Sequence, residues 1–282
     1  MRKLFLLLFS SLVYSGDFIE TSFSLKNCEN SLKKDGGRIY NFLGQKQFDR
    51  HILNINYMDI LENTYQPPMP KDLEVQKLAF KYRYNLSNGL QIGATYLHIK
   101  DNLMPTDGGN MYGISLQSKT TDLYILSTAY YKVVYDDFDV EQVDISVLKK
   151  IKTGDFKNSL KAIIKSTYID GYKNSQFNPK AKLENADDHY LIVGLFLATR
   201  YKSYFGKVGG FVGDRLFTVM NNGYMVQHHP MEFGNSLLLA FGKDFGKIRV
   251  GLKYNQHTSI SLPTNNQNIK FKMGTLTLRY NF

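Results

Sequence analysis

The feature that most constrains this chain is the alternation of residue types along its last segment. Between Gly274 and Phe282, four apolar residues alternate with four polar ones: Leu276, Leu278, Tyr280 and Phe282 against Thr275, Thr277, Arg279 and Asn281. Successive side chains of a β-strand point to opposite sides, so this period puts each class on its own face. The segment is therefore predicted to be a strand that separates an apolar medium from a polar one.

The same pattern recurs upstream in segments of about ten residues. In the preceding segment, Ile248, Val250, Leu252 and Tyr254 lie opposite Lys247, Arg249, Gly251, Lys253 and Asn255. Further strands are predicted at Val75–Tyr84, Leu90–Ile99, Met111–Ser118, Leu123–Val134, Glu141–Lys150, Phe156–Ile169, His189–Ala198, Tyr204–Val219 and Phe233–Phe241, with a weaker one at His51–Asp59. Two of them, Leu123–Val134 and His189–Ala198, are apolar on both faces, so their orientation stays open.

The breaks between segments alternate in length. Short breaks rich in turn-forming residues, such as Asn85–Gly89 and Gly242–Gly246, alternate with longer ones, such as Asp170–Asp188 and Met220–Glu232. Bacterial membrane barrels combine short periplasmic turns with longer outer loops, and they have an even number of strands. We therefore expect an all-β, antiparallel transmembrane β-barrel of about 12 strands with periplasmic termini.

The N-terminus has the pattern of an export signal. Met1, Arg2 and Lys3 precede an apolar run, Leu4–Val13, that is too short to span a bilayer. Residues 1–15 are predicted to be a signal peptide, and 51–282 to be the barrel. Residues 16–50 show no alternation and are predicted to be a periplasmic tail, a lumen plug or a disordered segment.

Composition agrees with a β protein. Aromatic residues make up 14% of the chain, and there are only seven prolines in 282 residues. No later stretch reaches the roughly 20 apolar residues of a membrane helix. Cys28 has no second cysteine with which to form a disulfide, and the residues before it do not fit a lipidation motif.

The export signal, the alternating segments and the terminal Arg279–Phe282 resemble Gram-negative outer-membrane β-barrels of the porin-like kind. The resemblance covers residues from about 50 to 282 and is architectural. It implies a location in the cell outer membrane and contact with outer-membrane lipid. The terminal Tyr280 and Phe282 resemble the assembly signal read by the barrel-assembly machinery, which is the implied partner.

The face opposite the apolar one is expected to line the lumen, and it is rich in cations. These residues are Lys77, Lys81, Arg83, Lys157, Lys161, Lys165, Lys247, Arg249, Lys253 and Arg279. Cations along an aqueous passage favour anions, so the predicted function is a passive channel for small, preferentially anionic solutes. In the alternative, inward acids such as Asp144 pair with these bases, and the barrel is closed and serves a structural or adhesive role.

A second alternative is a lipid-modifying hydrolase. Period two places His257 and Ser259 on one strand face, and their spacing resembles the His-x-Ser of outer-membrane lipid A deacylases and phospholipases. The asparagine that follows the serine in those families is Ile260 here, and the pair is expected to face the lumen instead of the lipid. We therefore expect no enzyme.

No metal site or cofactor is predicted. His228 and His229 fall in an expected outer loop beside Pro230, and adjacent residues of an extended chain point apart. The net charge of +10 does not by itself indicate nucleic-acid binding, because the chain carries an export pattern and no nucleic-acid-binding motif.

Overall fold

The computed structural model describes residues 16–66, 69–102, 106–118, 123–171, 186–262 and 265–282, so the predicted signal peptide lies outside the described residues. Sixteen strands are found in these ranges. They are β1 (Phe18–Glu29), β2 (Lys34–Phe48), β3 (His51–Thr64), β4 (Leu73–Asn85), β5 (Gln91–Asp101), β6 (Asn110–Gln117), β7 (Tyr124–Val134), β8 (Asp139–Thr153), β9 (Phe156–Asp170), β10 (His189–Tyr201), β11 (Tyr204–Val212), β12 (Val219–Met220), β13 (Met225–Val226), β14 (Met231–Phe245), β15 (Ile248–Ser261) and β16 (Asn266–Asn281).

Fourteen of these strands form one closed antiparallel barrel, and β12 and β13 form a small separate hairpin. The barrel closes between the first and last strands, with Phe23 opposite Leu276. The all-β antiparallel prediction is thus confirmed, but the expected number of about twelve strands is wrong.

The two additional strands come from residues 16–50, which were expected to be a periplasmic tail, a lumen plug or a disordered segment. This segment supplies β1 and β2. On β2, Ile39 and Leu43 share the inner face with Asn41 and Gln45. Neither face is uniformly polar or apolar, so no period-two signal marks the strand.

The two ends of the barrel differ in their connections. At the end that holds both barrel termini, which we call the turn end, several strands are joined by two residues, as in β8–β9 and β14–β15. Gly154 and Gly246 have φ of +57° and +67° in these turns, a conformation that glycine adopts at little cost. The opposite end, which we call the loop end, carries the longer connections 65–72, 102–109, 171–188 and 213–230.

The outer face of the barrel is an exposed apolar surface. Ile114 and Leu195, for example, are 65% and 57% exposed. Aromatic side chains pair on this surface near the turn end, with ring centroids 4.7 Å apart for Phe156 and Tyr201. A contiguous apolar surface of this extent is typical of a protein surrounded by lipid.

The inner face is divided between an apolar and a polar half. Toward the loop end, buried apolar side chains from several strands meet inside the barrel, including Leu97, Ile99, Met111 and Val133. This cluster explains the two strands of undetermined orientation, because Tyr131 on β7 and Tyr190 on β10 both belong to it and are buried in the interior. Toward the turn end, the inner face is mostly polar, although Phe196 also faces inward there.

Candidate functional site: the lumen and its plug loop

The connection between β11 and β14 folds into the barrel. This segment, residues 213–230, is called the plug loop below, and it contains the β12–β13 hairpin with a single 3-10 turn at Asn221–Gly223. The sequence predicted one strand over Tyr204–Val219 and an outer loop at Met220–Glu232. Both predictions are wrong, because β11 ends at Val212 and the chain then turns inward.

Apolar burial explains why the plug loop turns inward. Leu216, Phe217, Val219 and Val226 are fully buried and belong to the apolar cluster inside the barrel. The Phe217 ring lies 4.8 Å from that of Phe138, centroid to centroid. Burial of one such side chain stabilises a docked segment by roughly 1.5–3 kcal/mol relative to its exposure to water.

Wall lysines hold the loop by its backbone. Lys77 Nζ donates to the carbonyl of Val226 at 2.6 Å, Lys81 to that of Asn222 at 2.9 Å, and Lys165 to that of Val219 at 3.0 Å. These three residues face the interior as predicted, but they are buried against the plug loop. Lys165 also forms an ion pair with Asp144, as the closed-barrel alternative anticipated.

Gln142 of β8 pairs with both backbone groups of Val219. Its side-chain nitrogen donates to the Val219 carbonyl at 2.9 Å, and its oxygen accepts from the Val219 N–H at 2.7 Å. Two polar backbone groups of the hairpin are thereby satisfied inside the barrel, which removes a cost that would otherwise oppose docking.

A cluster of histidines and lysines fixes the end of the plug loop. Lys77 Nζ lies 2.7 Å from Nδ1 of His228, and Lys34 contacts Nδ1 of His229 and, at 2.7 Å, a carboxylate oxygen of Glu62. The surface position expected for His228 and His229 is therefore wrong. The fold brings these rings to a centroid distance of 4.0 Å within the barrel.

This cluster does not have the character of a cation site. Glu62, His228 and His229 offer ligand atoms within 4.8 Å of one another. However, lysines already occupy the Nδ1 atoms of both histidines, and Lys26 and Lys34 both pair with Glu62. With two ammonium groups paired to the one carboxylate and a third, that of Lys77, on His228, the local charge opposes a divalent cation.

Burial and positive neighbours keep these imidazoles neutral. The pKa of His228 lies well below its usual value because the ring is buried and because His229 and Lys77 are close. The pKa of His229 is also well lowered, first by burial and then by Lys34. Both rings are hydrogen-bond acceptors in this arrangement.

Between the plug loop and the turn end, the interior has a wall of cations. Lys161, Lys207 and Lys253, the lumen lysines, face inward from β9, β11 and β15, and among the described residues none has an acid within ion-pair distance. Lys207 and Lys253 both lie opposite Ala240, so their backbones are two strand spacings, about 10 Å, apart. Lys207 Nζ lies 4.6 Å from the centre of the Phe196 ring, and Lys161 is opposite Phe196 in the register.

The acids that face the same region are already neutralised. Glu20 pairs with Arg279 at 2.6 Å, and Asp244 pairs with Arg249 at 2.6 Å and with Arg200. The lumen lysines therefore leave an uncompensated positive charge in the polar half.

Most predicted lumen residues face the interior. Arg83 hydrogen-bonds to Gln45 and Asn54, and Lys157 lies opposite Arg200. The exception is Lys247, which lies in the turn before β15. Lys207 was missed because its Gly-rich strand, Tyr204–Val212, shows little alternation, although Tyr204 and Val208 mark its outer face.

The candidate hydrolase pair does not form a catalytic arrangement. His257 Nδ1 accepts a hydrogen bond from Arg215 at 2.9 Å. The Ser259 hydroxyl is buried and has no hydrogen-bond partner among the described residues, so His257 does not activate it.

The terminal aromatic residues lie at the barrel seam. Tyr280 is on the outer face, with its ring 5.2 Å from that of Phe282, centroid to centroid. The N–H of Phe282 donates to the Asp17 carbonyl at 3.2 Å, next to the start of β1.

Among the described residues, no helix is long and apolar enough to cross a membrane.

No protein-family model and no curated protein matches this sequence. Solved structures match its fold. A bacterial polysaccharide outer membrane secretin is similar with a TM-score of 0.59 and 8% identity, over 96% of this chain and 100% of that one.

Two channel structures are similar as well. The toluene transporter TodX of P. putida has a TM-score of 0.53 and 10% identity, over 96% of this chain and 91% of TodX. The CymD monoaromatic hydrocarbon channel has a TM-score of 0.55 and 10% identity, over 96% and 89%. At these identities the likeness is one of fold, and this chain has the closed β-barrel fold of outer-membrane channels.

Proposed function

We propose that the protein is a porin-like channel of the bacterial outer membrane, that it favours small anionic solutes, and that its plug loop obstructs the passage. The exposed apolar outer face supports a membrane location with lipid as its surroundings. With the short turns on the periplasmic side, the plug loop enters from the extracellular side. Assembly by the barrel-assembly machinery, through Tyr280 and Phe282, is part of this proposal.

The observation that carries the proposal is the uncompensated charge of the lumen lysines. Inward acids in the described strands of this region, Glu20, Asp144 and Asp244, each belong to an ion pair. Lys161, Lys207 and Lys253 therefore attract anions and repel cations that enter from the turn end. The effect weakens at high salt, because the screening length falls to about 3 Å at 1 M ionic strength.

The barrel fold of this chain is shared with TodX and CymD, which are named as a transporter and a channel. The shared fold supports a channel, whereas the proposed preference for anions depends on the lumen lysines alone. A lipid hydrolase has no comparable support, because His257 accepts a hydrogen bond from Arg215 and does not contact the Ser259 hydroxyl.

The test is the reversal potential of the refolded protein in planar bilayers under a gradient of potassium chloride. Two forms are compared: the chain from residue 16 to 282, and a variant in which residues 214–229 are replaced by a short Gly-Ser linker. We expect the linker variant to conduct more, with a reversal potential of anionic sign. The substitutions Lys161→Gln, Lys207→Gln and Lys253→Gln should each move that potential toward zero.

Lys149→Gln is the matched control, because Lys149 lies on the outer face of β8 over the Tyr124 ring and should not affect ion preference. If the folded linker variant does not conduct, the channel proposal is wrong. If it conducts with cationic sign, the channel stands and the anion preference is wrong.

A further inference from the structure

Three imidazoles link the plug loop to the barrel wall, and each contacts a cation. His228 contacts Lys77 at 2.7 Å, and His229 contacts Lys34. In the third contact the cation belongs to the plug loop and the imidazole to the wall: Arg215 of the plug loop donates to His257 of β15 at 2.9 Å. The three contacts lie on different strands of the wall, β4, β2 and β15, which belong to one continuous part of the barrel.

Each contact requires a neutral imidazole. Charged lysine and arginine side chains have donors and no acceptor, so the Nδ1 atom in each contact must supply a lone pair. Protonation removes that lone pair and turns each hydrogen bond into a contact between two cations. The same event therefore breaks the bond and introduces repulsion.

The surrounding charges do little to offset that repulsion. The charged groups that face His228 are Lys77, Lys34 and Glu62, besides His229; His229 faces these and also Lys26. Glu62, the acid in this set, lies 3.6 Å from Nδ1 of His229, but it already pairs with Lys26 and Lys34, so its charge is shared among several cations.

The remaining charges lie beside the cations that contact the imidazoles. Arg215, Lys26 and Lys253 face His257. Asp214 is beside Arg215, and Asp101 is near Lys77. Each of these acids attracts the cation beside it.

We propose that the plug loop is an acid-released gate: protonation of His228 and His229, assisted by His257, undocks the loop and opens the lumen. This inference rests on the proposed channel function, since it states how that channel is regulated.

The direction of the pH effect follows from the buried histidines. Their pKa is well lowered in the docked loop and returns toward about 6.5 when the loop is released into water. The contribution of these contacts to docking is therefore complete above about pH 6.5 and is lost as the pH falls below that value. Each histidine then lowers the docked-to-released ratio by up to about tenfold per pH unit.

Loop release can be measured apart from conductance. The chain contains no tryptophan, so Tyr224→Trp would place a single tryptophan at the tip of the plug loop. Tyr224 lies inside the barrel, 5.6 Å from Lys81 Nζ to its ring centre. We expect its fluorescence to shift to longer wavelength between about pH 7.5 and about pH 5 as the loop moves into water.

The decisive variant is His228→Gln with His229→Gln in the Tyr224→Trp background. Glutamine accepts a hydrogen bond from lysine but does not titrate in this range, so the loop should stay docked. The fluorescence shift should be lost, and the rise in open probability on acidification, at least about tenfold in the parent, should disappear. His189→Gln is the control, because His189 lies at an exposed position on the outer face, and it should respond like the parent.

The outcomes separate the two proposals. A parent chain whose fluorescence does not change with pH overturns the gate, as does a double glutamine variant that keeps the acid response. The parent chain could show the fluorescence shift but no conductance at either pH. If the linker variant also did not conduct, the loop would be released by acid but the protein would not be a channel.

Discussion

At the residue scale, lysines with the same predicted orientation have two different roles. Lys77, Lys81 and Lys165 are covered by the plug loop and donate to its backbone carbonyls, whereas Lys161, Lys207 and Lys253 lack such a contact to it among the described residues. Alternation in the sequence predicts which face a lysine occupies, because facing is a local property of a strand. It does not predict what lies across the lumen.

The buried pair of Lys165 and Asp144 offers a test at this scale. Lys165→Met leaves the Asp144 carboxylate buried without its partner, and loss of one member of such a pair costs about 3–5 kcal/mol. We expect a clear loss of stability, measured as the midpoint of thermal unfolding in detergent.

The double variant Lys165→Met with Asp144→Leu is the control for this loss, because it removes the unpaired charge. It should recover most of the stability. If it is no more stable than Lys165→Met alone, the Asp144 charge is not the cause.

At the scale of elements, the strands differ in how clearly their sequences predict them. β15 and β16 alternate along most of their length because their outer faces meet an apolar medium and much of their inner faces meet water. β2 carries Ile39 and Leu43 inward, and Ile39 packs against the cluster filled by the plug loop. A strand with apolar residues on both faces gives no period, so β2 could not be assigned to the barrel from sequence. β1 does alternate, with Phe23 and Leu25 exposed outside and Ser24 buried inside, and its pattern was overlooked.

The structure predicts that residues 16–50 are required for folding. A chain that begins at His51 would lack β1 and β2, and β3 and β16 would be left with unpaired edges in a lipid environment. We expect this chain not to refold, so that its mobility on a denaturing gel is the same with and without heating. The chain that begins at Gly16 should show the change in mobility on heating that a folded barrel gives.

The linker variant that lacks residues 214–229 is the comparison for this truncation, because it also removes residues but keeps all fourteen barrel strands. It should refold. A folded barrel from the chain that begins at His51 would contradict the role assigned to β1 and β2.

At the scale of the whole molecule, the two faces of the barrel should differ in their tolerance of charge. Leu195 lies midway along β10 on the outer face and is 57% exposed, whereas Ser127 faces inward from β7. Leu195→Lys should destabilise the barrel in lipid by about 2–4 kcal/mol, as expected for a lysine near the bilayer midplane. Urea unfolding in vesicles would measure this.

Ser127→Lys should cost much less, because its side chain enters the polar half of the lumen. Equal losses from the two substitutions would argue against a lipid-facing outer surface. A loss from Ser127→Lys alone would reverse the assignment of the faces.

The sequence by itself determined what depends on near neighbours along the chain: the strands with one lipid-type face, the antiparallel barrel that they imply, and the inward orientation of most lumen cations. Only the tertiary structure decided the number of strands, the inward path of the plug loop and the lysines that remain unpaired. These depend on contacts between residues far apart in the chain, such as Lys77 with Val226 and His228. The alternation of apolar and polar residues reflects the medium on each side of a strand, but it does not indicate which distant segment fills the space inside the barrel.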